Sequence, residues 1–410
     1  MSKVVIIGGG ASGLMAAYAA GKRGCEVIVL ERNERPARKV MITGKGRCNV
    51  TNDTDICGLV NAVTDKKSGR FMYSSFNGFT AEDTKSFFES LGVPLKTERG
   101  NRVFPQSDKS VDIVDALVSA AKGVGARILT ERVIRVKVSD GRVSGVETEG
   151  GRFFEADSVI VATGGMSYPL TGSTGDGYGI AKELDHTVTE LSPSLIPLTV
   201  KEGWCSDLQG LSLKNISVKV FKGDGNKPVF SDFGELMFTH YGLSGPVILS
   251  ASVYMREPQN NNYRVVIDMK PALDEEKLDA RILRDFTANS NRDFINSLGE
   301  LLPKKMIPVC VKLSKIEPSQ KVNQITKAQR ADLIKVLKNL TLNVTGFRPI
   351  EEAVVTKGGV SLGEINPKTM ESRLVRGLFF VGEILDVDAF TGGFNLQIAF
   401  STGFAAGSNV

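Results

Sequence analysis

Three glycines near the N-terminus, and an acid that follows them, have the spacing of a nucleotide-binding turn. Gly8, Gly10 and Gly13 form the pattern Gly-x-Gly-x-x-Gly between the apolar run VVII and a stretch of small residues at helical spacing. In such a turn the first glycine permits a sharp bend, the second lets a pyrophosphate approach the backbone, and the third lets helix pack on strand. Glu31, which ends the next apolar run, can accept the ribose hydroxyls and disfavours a 2′-phosphate, although Arg32 weakens that argument. The alternative is a purely structural turn between strand and helix.

Glycine-rich segments later in the chain favour FAD over NAD as the dinucleotide. Ala162–Gly165 (ATGG) follows an apolar run, Gly382–Glu383 ends another, and Gly392–Leu396 (GGFNL) opens the last predicted helix. A Rossmann NAD domain does not need the first and last of these segments, whereas FAD domains of the glutathione-reductase type use both. N–H groups at the start of the last helix can hold the charge that develops at one edge of a reduced flavin. Each segment alone could be an ordinary strand-to-helix turn.

The loop Ile42–Asn52 (ITGKGRCNVTN) is expected to cross above the cofactor. Gly44 and Gly46 allow close backbone approach or positive φ. Lys45 or Arg47 can pair with the pyrophosphate, the arginine as a two-pronged donor. Asparagine side chains of the loop can hydrogen-bond the flavin: Asn49 and Asn52.

A flavin carries hydride, but reduction of a C=C bond also needs a proton for the second carbon. The candidate proton donors are His240, Tyr241, Cys48, Tyr168 and Arg102. His240 could instead be structural, and Cys48 a small buried apolar residue. His186 is interpreted as structural.

The sequence has no second dinucleotide fingerprint. Gly175-x-Gly177-x-Gly179 does not follow a buried strand, so it is interpreted as a turn on the flavin side. A nicotinamide donor, NAD(P)H, would therefore bind transiently.

Composition excludes several classes of protein. The five cysteines form no CxxC pair and the chain has two histidines, so neither a metal site nor a disulfide framework is expected. No apolar run reaches the roughly 18–20 residues that a membrane span needs, so a cytoplasmic protein with no membrane partner is predicted. The net charge of +5 permits an acidic partner without requiring one. Oligomeric state is not predicted.

The order of elements predicts a domain split in two by an insertion. Apolar runs at Val4–Ile7, Cys25–Leu30 and Ser158–Thr163 are typical of a parallel sheet buried on both faces. After about residue 190 alternating segments predict antiparallel strands, followed by a helical, lysine-rich stretch. The predicted domains are 1–190 with 355–410, an antiparallel β domain at 191–273 with 341–354, and a helical lobe at 274–340.

Several segments together resemble the BaiN/RdsA family of FAD-dependent oxidoreductases, over essentially the whole chain. The most specific are KVMITGKGRCNVTN and FFVGEILDVDAFTGGFNLQIAFSTG; others are ERGNRVFPQSD, ATGGMSYPLTGSTGDGYGIA and MFTHYGLSGPVIL. The resemblance implies an α/β, Rossmann-like FAD-binding domain of the glutathione-reductase type, interrupted by a β-barrel-like domain with a helical insert. It implies that tightly bound FAD is lined by Gly8, Gly10, Ala11, Ser12, Gly13, Glu31, Lys39, Gly44, Gly46, Arg47, Cys48, Asn49, Val133, Ala162, Thr163, Gly164, Glu383, Gly393, Phe394, Asn395 and Leu396. Arg32 and Gly382, beside two of these, complete the predicted set.

The resemblance also implies the possible reactions. The leading hypothesis is reduction by NAD(P)H of an activated C=C bond in a small apolar molecule, such as an unsaturated 3-oxo steroid or bile acid. The second is ribosomal RNA dihydrouridine synthesis, with the basic lobe at 274–340 tracking phosphates. Amine oxidation with oxygen, and a non-catalytic FAD-binding scaffold, are further alternatives.

Overall fold

A computed structural model describes all residues from Met1 to Val410 and divides into two compact units. The first, called the split unit, joins Met1–Ser194 to Ile350–Val410; the second, called the inserted unit, is Leu195–Pro349. Each unit has its own cluster of buried apolar side chains.

The split unit is built from strands and helices of both chain segments. Its first segment contains β1 (Lys3–Ile7), α1 (Ala11–Lys22), β2 (Glu26–Glu31), α2 (Arg38–Ile42), β3 (Thr51–Asn52), α3 (Ile56–Ala62), α4 (Lys66–Gly78), α5 (Ala81–Ser90), β4 (Leu95–Glu98), β5 (Arg102–Pro105), α6 (Ser110–Gly123), β6 (Arg127–Thr130), β7 (Val133–Ser139), β8 (Arg142–Thr148), β9 (Phe153–Glu155), β10 (Ser158–Val161), α7 (Asp176–Glu183) and β11 (Ser192–Ser194).

The inserted unit and the returning segment complete the list. The inserted unit contains β12 (Leu198–Val200), β13 (Ser212–Lys222), β14 (Phe230–Thr239), β15 (Gly242–Ser244), α8 (Pro246–Ser252), β16 (Tyr263–Asp268), α9 (Glu275–Ala288), α10 (Met306–Ser314), α11 (Lys327–Lys338) and β17 (Leu340–Phe347). The chain then adds β18 (Val355–Lys357), β19 (Leu378–Phe380) and α12 (Phe394–Gly407) to the split unit.

A parallel sheet in the order β19-β10-β1-β2-β6 forms the centre of the split unit. All four residues of β10, and four of the five in β1, are buried, as expected for strands covered on both faces. The strand order reverses at β1, because β2 lies on one side of it and β10 on the other. Such a switch point is where ligands bind at the carboxyl ends of parallel strands.

Helices α1 and α12 pack closely on one another because glycines of α12 face α1. A Cβ at Gly403 would lie 2.3 Å from the Ser12 carbonyl oxygen, and one at Gly407 would lie 2.3 Å from that of Ala16. The facing surface of α1 is made of small residues, including Ala16 and Ala20, which have no solvent exposure. The two helices run parallel in this contact, and the first turns of α12 extend past the start of α1.

The inserted unit is a closed barrel of six antiparallel strands in the order β12-β15-β14-β13-β16-β17. Alternation along β13, where Val218 and Val220 are buried and Lys219 is exposed, follows the period of two expected for a strand with one buried face. Helices α9, α10 and α11 belong to the same unit. The predicted fold class, a Rossmann-like domain interrupted by a β-barrel with a helical lobe, is confirmed. None of the helices combines the length and hydropathy that a membrane span requires.

Candidate cofactor site

A long cavity opens in the split unit at the carboxyl ends of β1, β2 and β10, beside the first turns of α1 and α12. Its empty volume is ≈ 1320 Å³, part of it open to solvent. The predicted residues that line it are Gly8, Gly10, Ala11, Ser12, Glu31, Arg32, Lys39, Val133, Ala162, Thr163, Gly164, Glu383, Asn395 and Leu396.

At each of the three glycines of the first turn, a side chain would meet a different environment. Gly8 has φ +102°, and a Cβ on it would lie 2.6 Å from the Ala162 carbonyl oxygen. A Cβ on Gly13 would lie 2.0 Å from the Gly8 carbonyl oxygen, so the helix could not start so close to the strand. A Cβ on Gly10 would meet nothing nearer than 4.0 Å. Because Gly10 lines the cavity, the space that its missing side chain leaves is part of the cavity.

Helices α1 and α12 both begin at the cavity, and the N–H groups of their first turns have no side-chain cap. Neither Gly10, before α1, nor Gly393, before α12, provides a side-chain cap, and neither helix has an acid in its first turn. Uncapped helix N-termini attract negative charge. One end of the cavity can therefore take a pyrophosphate, and the other the electron-rich edge of a ring.

Glu31 is held in place at the end of β2. Its carboxylate accepts hydrogen bonds from the Gly9 N–H at 2.7 Å, and from the backbone N–H and side-chain amide of Asn33 at 2.9 and 2.8 Å. The residue is 8% exposed and lines the cavity, which is the placement expected of a ribose acceptor.

A second polar cluster lies where β19 ends. Lys39 Nζ donates to Glu383 Oε2 and to Ser167 Oγ, both at 2.6 Å. Glu383 Oε1 accepts from the Thr356 N–H at 2.9 Å and from the Ser167 hydroxyl at 3.1 Å. Both charged side chains are about one-fifth exposed, 22% for Lys39 and 19% for Glu383, so the pair presents fixed charges to the cavity.

The loop between α2 and β3 is placed differently from the expectation. Arg47 pairs with Glu98, and its Nε donates to Asp108 Oδ1 at 2.7 Å. Its guanidinium also lies 4.2 Å from the centre of the Phe104 ring. Arg47 does not line the cavity, and its carboxylate partners leave it no free charge for a pyrophosphate.

Asn52 connects the loop to two other backbone segments of the split unit. Its Nδ2 donates to the carbonyl oxygens of Gly100 at 3.0 Å and Gly392 at 3.1 Å, which ties the loop to the segment before α12. A Cβ on Gly393 would lie 2.3 Å from the Thr51 carbonyl oxygen, so this approach requires glycine.

Nine further predicted residues do not line the cavity: Gly13, Gly44, Gly46, Arg47, Cys48, Asn49, Gly382, Gly393 and Phe394. Gly382 affects the cavity indirectly, through the packing of a residue that lines it. A Cβ on Gly382 would lie 2.6 Å from Ser12 Oγ, so this glycine lets the end of β19 approach α1.

The candidate proton donors are distributed over both units. Cys48 has no solvent exposure, and burial raises the pKa of its thiol to about 12, so it stays protonated and is a poor acid. Tyr168 is 37% exposed and lines a groove next to the cavity. Arg102 lies on β5, with its Nε bonded to the Arg99 carbonyl oxygen. His240 belongs to the inserted unit, where it is exposed on the turn after β14 and contacts the Tyr241 ring edge-on.

His186 is built into the core of the split unit. Its Nδ1 lies 3.1 Å from Glu364 Oε2, its Nε2 lies 2.9 Å from Ser372 Oγ, and its ring packs edge-on against Phe380. Although the trio has the residue types of a hydrolytic triad, Ser372 is buried, with 7% of its surface exposed. A structural role for His186 follows.

The lining residues that were not predicted include Asn33, Ser173, Asp176, Val354, Val355 and Val387. Asp176 accepts from Arg132 Nε at 3.0 Å and Arg32 Nη1 at 3.3 Å, and all three side chains line the cavity. The acid and its two arginines are far apart in sequence, so no local pattern could have joined them.

The cavity fits FAD on structural grounds. Gly10 leaves open space where a phosphate would approach, the uncapped N-termini of two helices adjoin the cavity, and the Glu31 carboxylate lines it at the end of β2. Thr163, which lines the cavity, and Asn49 each keep a buried side-chain oxygen without a hydrogen-bond partner. The residues that line the cavity would hold the cofactor, and their individual roles stay predictions.

Comparison with known proteins places the chain in a family. Residues 2–409 match the model described as the HI0933-like protein Rossmann domain. The chain is 32% identical to the 3-dehydro-bile acid delta(4,6)-reductase of Clostridium scindens, over 99% of this chain and 98% of that one. It is 29% identical to the ribosomal RNA dihydrouridine synthase of Escherichia coli, over 99% and 97%.

A solved structure supports the fold. The 3-ketosteroid delta1-dehydrogenase of Sterolibacterium denitrificans superimposes with a TM-score of 0.54 at 12% identity, over 99% of both chains. With a family model matched over nearly its whole length, this chain belongs to the HI0933-like family of FAD-dependent oxidoreductases.

Proposed function

We propose that this protein transfers hydride from NAD(P)H, through FAD, to an activated C=C bond in a small apolar molecule such as an unsaturated 3-oxo steroid or bile acid. The observation that carries the proposal is the cavity between the N-termini of α1 and α12, in a chain 32% identical to a bile-acid reductase along its full length.

The overall reaction balances with one proton from solvent as the only further reactant. NAD(P)H loses a hydride, which is one proton with two electrons, and one carbon of the double bond gains it. The second carbon takes a proton, so NAD(P)⁺ and the saturated compound are the products. Bound FAD supplies the two-electron relay between donor and substrate.

The chain's own residues provide binding, charge and orientation. The first turn of α1 and the Lys39–Glu383 pair would hold the phosphate and ribityl portions, while Glu31 would hold the ribose. The first turn of α12 would stabilise negative charge on the ring, because its N–H groups have no cap. Cys48 is a poor proton donor with a pKa of about 12, so His240 and Tyr168 stay the candidates for the second carbon.

Ribosomal RNA dihydrouridine synthesis is the alternative, since it is the same reduction on a uracil and two such synthases are 29% identical to this chain. Exposed lysines of the helical lobe favour it: Lys304, Lys305, Lys312, Lys315, Lys327 and Lys335. Other cations of the lobe are already paired, as Arg330 with Asp279 and Lys338 with Asp268.

The aromatic residues of this lobe cannot stack on bases. Phe286 is 5% exposed, Phe294 has no exposure, and the two pack against one another with ring centres 6.2 Å apart. Base stacking is a main source of affinity for single-stranded RNA. The lobe therefore offers charge without a stacking surface, which favours the small-molecule substrate.

The test is an anaerobic titration of the purified flavoprotein with NADH and NADPH, followed by an acceptor. Bleaching of the flavin absorbance, and its recovery on addition of a 3-oxo-4-ene or 3-oxo-4,6-diene steroid, is the expected result. If ribosomal RNA restores the flavin absorbance and no enone does, the result supports dihydrouridine synthesis instead. Recovery with oxygen alone would indicate an oxidase.

A further inference from the structure

A solvent-open groove lies beside the cofactor cavity in the split unit. It has an empty volume of ≈ 1160 Å³ and is formed by the exposed side of α2 and the turn that contains Tyr168. Its lining residues are Arg35, Arg38, Met41, Ile42, Tyr168, Pro169, Leu170, Thr171 and Glu351.

The groove exposes an unusual amount of apolar surface. Leu170 is 87% exposed, Ile42 45% and Tyr168 37%, and these three are among the few large apolar residues of the chain with such exposure. Apolar side chains gathered in a groove, with polar groups at its rim, are typical of binding sites for rings.

Two arginines, against the single carboxylate of Glu351, give the lining of the groove a net positive charge. Arg38 donates to the neutral amide oxygen of Asn33 at 3.2 Å and has no ion-pair partner. Arg35 lies 3.6 Å from Asp115, and both of those side chains are at least half exposed, so water weakens the pair. A ligand phosphate could therefore recruit both guanidinium groups.

The groove is continuous with the cofactor cavity. Arg38 and Thr171 line both, Arg38 from α2 and Thr171 from the turn after Tyr168. A ligand seated in the groove would thus adjoin the cofactor cavity at Arg38 and Thr171.

The glycine-rich turn Gly175–Gly179, at the start of α7, cannot serve as a phosphate site. Asp176 is the first residue of α7, and Arg132 and Arg32 hold its carboxylate at that helix N-terminus. A phosphate there would meet a carboxylate, so Gly175–Gly179 does not offer a second dinucleotide site.

We propose that the groove binds the 2′-phosphoadenosine half of NADPH, with the adenine against Tyr168 and Leu170 and the 2′-phosphate on Arg35 and Arg38. This inference rests on the proposed function, because it locates the nicotinamide donor of that reaction. It predicts a preference for NADPH over NADH, since the 2′-phosphate is the group that two arginines distinguish.

The test uses the FAD-loaded protein and two measurements. Binding of 2′,5′-ADP and of 5′-AMP is measured by calorimetry, and the rate of flavin reduction is measured at increasing NADPH and NADH. The wild-type protein should bind 2′,5′-ADP more tightly than 5′-AMP. Arg35→Ala should weaken 2′,5′-ADP binding and raise the half-saturating NADPH concentration about tenfold. NADH kinetics should change little.

Two control variants separate the groove from general effects of charge. Asp115→Asn removes the partner of Arg35 but leaves the arginine, so binding of 2′,5′-ADP should be unchanged or tighter. Arg70→Ala removes an exposed arginine of α4 that lines neither cavity nor groove, and should have no effect. Neither Arg35 nor Arg70 lines the FAD cavity, so flavin content should stay equal to that of the wild type.

The outcomes distinguish the groove from the proposed function. If the rate of flavin reduction by NADPH is the same in Arg35→Ala as in the wild type, the assignment of the groove is wrong and the proposed function stands. Absence of reduction by either nucleotide overturns the proposed function, and absence of 2′,5′-ADP binding overturns the groove. If the protein binds a short single-stranded RNA in an Arg35-dependent way and does not bind 2′,5′-ADP, the NADPH assignment is wrong and the groove is an RNA site.

Discussion

At the scale of single residues, position in the fold separates residues of the same or similar type. Gly10 and Gly13 both belong to the first turn, yet only Gly10 leaves space that opens to the cavity. Lys39 and Arg47 both follow that turn and were both predicted to contact FAD. Lys39 is held on the wall of the cavity by Glu383, whereas Arg47 is held away from it by Glu98 and Asp108.

The two glycines should respond differently to a single methyl group. Gly10→Ala should fold normally and lose most of its FAD affinity, because the Cβ has room in the fold but enters the cavity. Gly13→Ala should lose about 2 kcal/mol or more of stability, because its Cβ would collide with the Gly8 carbonyl. FAD retention on gel filtration and urea unfolding of the apoprotein measure the two effects. Equal stability losses in both variants would contradict this assignment.

Replacing Lys39 should weaken cofactor binding and the fold together. Lys39→Ala leaves the Glu383 carboxylate mostly buried without its cation, at an expected loss of about 1–3 kcal/mol of stability. FAD affinity should fall about tenfold or more. Lys39→Arg is the control and should keep most of the stability and of the FAD affinity. Fluorescence titration of the apoprotein with FAD gives the dissociation constant. An unchanged constant in Lys39→Ala would remove Lys39 from the site.

His186 should make the split unit less stable in mild acid. Burial lowers the pKa of His186, although Glu364 opposes the shift. The unfolded chain, with a histidine pKa of about 6.5, therefore takes up a proton that the folded chain resists. The stabilising contribution is complete above pH ~6.5 and is lost as the pH falls below it.

The chain has two histidines, which provides a matched control for this pH dependence. Urea unfolding at pH 7.5, 6.5 and 5.5 should show a decline in wild type and in His240→Gln, and a smaller decline in His186→Gln. A decline of the same size in all three proteins would show that other groups cause it.

At the scale of elements, apolar runs and glycines predicted the parallel strands, while short capped helices were missed. Sequence analysis assigned no helix to residues 56–78, where the structure has α3 and α4. Asp55 caps α3 through the Gly58 N–H, and Asp65 caps α4 through the N–H groups of Lys67 and Ser68. The capping residues are visible in the sequence, but the apolar periodicity between them is weak.

The packing of α12 on α1 gives a test at this scale. Gly403→Ala should destabilise the split unit by about 1–3 kcal/mol, because its Cβ would lie 2.3 Å from the Ser12 carbonyl oxygen. Gly179→Ala is the matched control, since its Cβ meets nothing within 4 Å in helix α7 and alanine favours a helix. It should be neutral or stabilising by up to about 1 kcal/mol. Urea unfolding compares them, and similar stability in both would contradict the close packing.

At the scale of the whole molecule, the modest net charge of +5 conceals an uneven distribution. Exposed lysines gather at α10 and its flanks in the inserted unit, as Lys304, Lys312 and Lys315. If the substrate is small and apolar, converting these three to glutamate should leave the enone reduction rate within about twofold at physiological salt, because exposed charges are screened beyond ~8 Å. A matched triple Lys→Gln variant controls for side-chain loss, and a rate that falls steeply only with glutamate would indicate an anionic substrate.

The sequence by itself determined the class of fold and the kind of cofactor. Buried strands, a glycine turn before a helix and an acid after the next strand are local features, so their periodicity and spacing are visible without a structure. Tertiary structure decided which side chains line the cavity. Arg47 lies 51 residues from Glu98 and 61 from Asp108, and Asn52 lies 340 from Gly392. Ion pairs and hydrogen bonds depend on distances of a few ångströms between such residues, and only the folded chain sets those distances. The groove beside the cavity likewise exists because α2 and the Tyr168 turn meet in space, over 120 residues apart in the chain.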